Sequence, residues 1–125
     1  MIEALDALAG LAVLVLQRAR QSTDALALAQ TIKALEPLAA TVEVLHHLSV
    51  AMTRQATRLR DQEAAKQPDG PALSAMDTAL VHLTCGQETV MTAHHLLASG
   101  RHELHKAAEK RNSSQHLDQR PPPPP

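Results

Sequence analysis

The chain has no Phe, Tyr or Trp among its 125 residues. Ordinary usage would give roughly ten. Any core must therefore be built from Leu, Val, Ile, Met and Ala. Nucleic-acid readers that stack bases on aromatic rings are excluded. Cysteine is nearly absent too. Cys85 stands alone, which rules out an intrachain disulfide and any multi-cysteine metal knuckle. Four glycines form neither GxGxxG nor GxxxxGK[ST], so no phosphate-cradling loop is expected. No Ser-His-Asp order suggests a nucleophile. An excess of either charge is missing as well. Twelve Lys and Arg face thirteen Asp and Glu, a net charge of -1, so nothing electrostatic favours nucleic acid as a partner.

Long hydrophobic runs are also absent. The stretch from Ala4 to Leu16 carries Asp6 as its one charge. It is shorter than the roughly 20 residues a spanning helix needs. Glu3 and Asp6 stand where a secretory signal would carry Lys or Arg. No transmembrane segment is expected, and the cytoplasm is the expected location. The Ala-, Leu- and Arg-rich vocabulary suggests a bacterial source.

What is present is helical periodicity. One stripe runs Leu35, Leu38, Val42, Leu45, Ser49, Met52, Ala56, Leu59. A second runs Leu73, Met76, Leu80, Leu83, Gln87, Val90, His94, Leu97, Arg101, Leu104. Both step by three and four, the heptad of two packed helices. Between them lies Pro68-Asp69-Gly70-Pro71, a turn in which Pro71 suits a first helical position and Asp69 or Gly70 a cap. The heptads allow several antiparallel registers. Centring the turn selects the one that pairs Leu45 with His94, Met52 with Gln87 and Ser49 with Val90.

The expected fold is all-α. It is a helical bundle built on a long antiparallel coiled-coil hairpin, from about Asp24 to Lys66 and from Ala72 to Lys110 or Arg111. A shorter helix from about Ile2 to Arg20 packs beside it. Gln21, Ser22 and Thr23 would link the two, with Ser22 or Thr23 as N-cap. Pro37 predicts a kink or a break in the second helix. Residues 1–111 form one domain. Residues 112–125 are expected to be a disordered polar tail, fraying from Asn112 and ending in the polyproline of Pro121 to Pro125.

Small residues at Ala79, Gly86, Ala93 and Gly100, with Ala34, Thr41 and Leu48 opposite, leave a groove that the first helix is too short to fill. From Gln67 to Gly100 there is no Lys or Arg. A solvated helix normally carries both signs. Val44, Leu48, Val50, Val81, Cys85 and Leu96 are the candidate interaction surface, for a homo-oligomer or a helical protein partner. Ser49, Gln87 and His94 are polar in the heptad core, where such residues fix register; His94 could also act as a pH switch.

The expected function is a non-enzymatic protein–protein interaction or assembly module with no cofactor. The alternatives are a metal-binding bundle and a nucleic-acid or membrane-surface accessory protein. Eight histidines motivate the first of these. Glu43 and His46 make one Glu-x-x-His pair, and His82, Cys85 and Glu88 offer zinc-type donors. No second Glu-x-x-His follows, and three residues spread over nearly two turns cannot easily meet one ion. The mildly basic end with Arg101, Lys106, Lys110 and Arg111 motivates the nucleic-acid alternative, and the apolar first helix the membrane one.

Overall fold

The computed structural model describes residues 1–21, 27–118 and 121–124. Three helices, α1 (Ile2–Gln21), α2 (Leu28–Lys66) and α3 (Pro71–Asp118), account for the fold. They form the expected all-α hairpin bundle. Arg18 and Arg20 close α1, where cations suit the exposed carbonyl end. Ser22, Thr23 and Asp24, expected to cap and begin the next helix, lie outside the described residues. The helix opens after Ala27, which has non-helical backbone (φ -56, ψ 151). The Gln30 side chain accepts the Ala27 N–H at 3.3 Å, which satisfies one orphan donor of the first turn.

Pro37 does not break α2, which runs unbroken from Leu28 to Lys66. Proline has no N–H, so the Lys33 carbonyl loses its usual donor. The Thr41 hydroxyl donates to the Pro37 carbonyl at 2.8 Å, tying the next turn down.

The turn forms where the Pro-Asp-Gly-Pro sequence places it. The Gln67 N–H caps the Glu63 carbonyl at 2.8 Å, and the Gly70 N–H returns to the Gln67 carbonyl at 3.0 Å. Pro71 then takes the first position of α3, where its missing N–H costs nothing. Gly70 is needed for space. A Cβ there would lie 3.1 Å from the Gln67 Cβ and 3.2 Å from its carbonyl oxygen. Gly70→Ala is expected to cost about 1 kcal/mol, read from a urea titration. A neutral or stabilising result would show that Gln67 yields freely.

α3 runs on to Asp118, past Asn112, Ser113, Ser114 and Gln115, where fraying was expected. Asn and Ser are weak helix formers, not breakers. Pro121 to Pro124 lie outside any helix, as proline requires.

α2 and α3 pack together along the hairpin. The inward stripe of α3 is the expected one except at Leu83, which is 40% exposed: Leu73, Met76, Leu80, Gln87, Val90, His94, Leu97, Arg101 and Leu104 are all buried or half-buried. On α2 the stripe is rotated. Leu35, Val42, Ser49, Met52 and Ala56 are half-buried as expected. Their companions are Ala39, His46, Thr53 and Arg60, not Leu38, Leu45 and Leu59. Those three leucines are 48%, 37% and 49% exposed. Among the described residues, the buried apolar side chains are Ile32 at the open end and Leu73 at the turn.

Candidate interaction surface

The rotation of α2 creates the surface. Residues spaced three and four apart share one helix face. Ala34, Leu38, Thr41, Leu45, Leu48 and Met52 therefore form a continuous row along one flank of the seam. Two clefts open on that row. The first is about 500 Å³ and lies between α1 (Leu8, Leu11, Ala12, Val15, Leu16) and α2 (Ala34, Pro37, Leu38, Thr41). The second is about 460 Å³ and lies nearer the turn. Leu45, Leu48, Ser49, Met52 and Thr53 of α2 line it, together with His82, Leu83, Gly86, Gln87 and Val90 of α3. No charged side chain lines either cleft.

α1 covers the open end of the row alone. It was expected to enter the groove between both arms, beside Ala79, Gly86, Ala93 and Gly100. It lies instead against α2. Among the described residues, no α1 Cα comes within 8 Å of an α2 or α3 Cα, and none of its side chains is buried. Leu11, Val13, Leu14, Val15 and Leu16 are all more than half exposed. Its residues Leu8, Leu11, Ala12, Val15 and Leu16 share a cleft with α2 alone.

The six residues expected to form the interaction surface do not share one face. Leu48 lines the second cleft. Val50 follows it by two residues, about 200° round the helix, and is half-buried on the other flank. Val44 points away from the seam and is 63% exposed. On α3, Val81 and Cys85 share a shallow patch with Leu80, Thr84 and Glu88, and Leu96 is exposed. Leu38, Leu45 and Leu83 line the clefts and are exposed, although the heptad assigned them to the seam; Met52 lines the second cleft and is half-buried. The signal that could have found them is the width of the apolar arc. On α2 it spans three heptad columns, one more than a two-helix seam uses.

The uncharged outer faces are more apolar than their threonines suggest. Thr89 donates to the Cys85 carbonyl at 2.8 Å and Thr92 to the Glu88 carbonyl at 3.0 Å. Both hydroxyls turn back onto their own helix. Cross-seam ion pairs lie toward the ends. Arg60 Nε donates to Asp77 Oδ1 at 2.8 Å near the turn, and Arg101 Nη2 reaches Glu36 Oε2 at 3.3 Å near the open end. The Asp77 hydrogen bond and charge hold the Arg60 guanidinium above its ordinary pKa, with Asp61 adding to both effects.

The register residues divide. Met52 and Gln87, and Ser49 and Val90, meet round the same cleft, as their pairing requires. Ser49 satisfies its hydroxyl on the His46 carbonyl at 2.7 Å. His94 does not stop at Leu45. Its Nδ1 donates across the seam to the Ala39 carbonyl at 3.2 Å. Both the neutral Nδ1–H tautomer and the imidazolium can make that bond. The contact ties α3 to the α2 backbone at this level of the seam.

His46 and His47 face His94 and His95 across the other flank, with Glu43 and Met91 completing a small cleft. The His47 ring stands 3.9 Å from Glu43. Among the described residues, no three of His, Cys, Asp and Glu converge as an ion would require, and that holds for His82, Cys85 and Glu88 as well. No described helix is long and apolar enough to cross a membrane.

Compared with known families, curated proteins and solved structures, the chain finds no significant match. A functional reading must therefore rest on the surface itself.

Proposed function

We propose that this chain is a non-enzymatic helical interaction module of the cytoplasm that works as a homo-oligomer. One observation carries the reading. A folded monomer of 13.4 kDa exposes about 6,500 Å². This chain exposes 10097 Å². The surplus, about 3,600 Å², is shared between the hairpin and the almost fully exposed α1, and it includes large apolar side chains such as Leu11, Leu14, Leu38, Leu59 and Leu83. A standard interface takes about 800 Å² from each partner, and obligate assemblies take more. Apolar flanks of this extent are stable in water when another protein surface covers them.

Light scattering on the full chain, from micromolar to near-millimolar concentration, tests this. A mass of two or more chains is expected, together with a melting temperature that rises with concentration. A single-chain mass throughout the range would overturn the reading.

A further inference from the structure

We propose that the five prolines from Pro121 to Pro125 are a recognition segment, taken up by the aromatic-lined groove of a different protein that binds polyproline II helices. This recognition does not depend on the assembly proposed above.

The conformation follows from the residues. Proline fixes its own φ at about -65° and pushes the residue before it into extended backbone. In a run of prolines both restraints act on the same residues, and the polyproline II helix satisfies them together. Pro121 to Pro124 accordingly lie outside any helix, and all four are exposed. With three residues to the turn and a rise of about 3.1 Å each, Pro121 and Pro124 share one edge about 9 Å apart. The sequence repeats that spacing at Pro122 and Pro125. A segment so restrained has little conformational entropy left to lose when it binds.

Its placement leaves it within reach. Arg101 of α3 already pairs with Glu36, toward the start of α2. α3 nevertheless runs on to Asp118, and residues 109–117 are all exposed. The last turns of α3 before the prolines therefore stand clear of the hairpin.

The partner follows from what the segment offers and lacks. Its rings are apolar, and its carbonyls accept hydrogen bonds. No residue of the run has an N–H to donate, so it cannot complete a helix or a sheet ladder. What fits is a surface of aromatic faces that also carries donors, the indole N–H of Trp and the phenol O–H of Tyr. This chain has no Phe, Tyr or Trp. A second copy therefore cannot supply the groove, and the occupant is another protein. Arg120 directly precedes the run, and a carboxylate at one end of the groove would pair with it.

The test titrates the full chain into three separate domains, an SH3, a WW and an EVH1 domain, each with tryptophan in its groove. Because this chain has no tryptophan, every change in tryptophan emission reports the groove. A saturable change is expected with at least one domain, at a dissociation constant of about 10–500 μM. Pro122→Ala combined with Pro124→Ala breaks both pairs spaced three apart and should weaken binding about 10-fold or more. Pro121→Ala combined with Pro124→Ala leaves Pro122 and Pro125 and should weaken it only about twofold. Both variants should keep the helicity and the light-scattering mass of the parent, because the substitutions lie outside the helices. No saturable change with any domain up to about 1 mM chain, or equal affinity for the parent and both variants, would overturn the proposal and leave the assembly reading standing. A mass that falls when Pro122 and Pro124 are replaced would overturn it too, by assigning the prolines to self-assembly. Groove binding by a parent chain that stays a monomer would support it and sink the assembly reading alone.

Discussion

Leu73→Ala is expected to lower stability by about 2–4 kcal/mol. In a chain of this size the melting temperature should fall by roughly 10 °C or more. Leu73 is one of two buried apolar side chains among the described residues, at 9% exposed. It stands in the first turn of α3, next to the Gln67–Gly70 turn, and ties the two arms where they meet. Truncation removes transfer energy and leaves a cavity that the short turn cannot close. Urea unfolding followed by far-ultraviolet circular dichroism would measure the loss.

Leu59→Ala supplies the contrast. The heptad pattern puts Leu59 in the seam, but it is 49% exposed. Its truncation should cost less than about 1 kcal/mol in the dilute monomer. Equal losses at Leu73 and Leu59 would mean that α2 is not rotated as described.

Pro37→Ala is expected to have the opposite sign. A proline inside a helix costs about 3 kcal/mol relative to alanine. Here it lies ten positions into an unbroken helix, and replacing it returns a donor to the Lys33 carbonyl. Part of that gain is offset. The Pro37 ring lines the cleft beneath α1 with Leu8, Leu11 and Ala12, and alanine would widen it. A net gain of about 1–2 kcal/mol is expected, read from the same urea titration. A loss would mean that the ring holds α1 in place more strongly than the helix suffers from it. Hydrogen exchange at α1 amides would then rise in the variant and show where the loss arises.

Much of this architecture is legible residue by residue. The inward column of α3, from Leu73 to Leu104 with Leu83 excepted, is the column its heptad predicts, because α3 packs against one neighbour and has one apolar face to offer. The turn is legible because Pro68, Gly70 and Pro71 each restrict the backbone locally. The end of α3 is less so. Asn112 to Gln115 weaken a helix without ending it, and Pro121 to Pro124 lie outside it. The candidate surface was only partly visible. Leu48 lines the second cleft, Val81 and Cys85 share a separate shallow patch on α3, and Val44 and Leu96 are exposed elsewhere. Leu38, Leu45, Met52 and Leu83 were hidden by their own regularity, since a perfect heptad looks like a completed seam.

The sequence by itself determined the all-α class, the order of the helices and the place where the chain reverses, and left open whether Pro37 breaks the second helix. These follow from apolar spacing and from prolines, which act within a few residues. The rotation of α2 about its own axis belongs to the tertiary structure. An apolar arc three columns wide can be shared between neighbours in more than one way. α3 takes the Ala39, His46 and Thr53 side, α1 takes Ala34 to Thr41, and Leu45, Leu48 and Met52 remain between them. That division is a competition among packing partners, and no periodicity along one strand of sequence encodes its outcome.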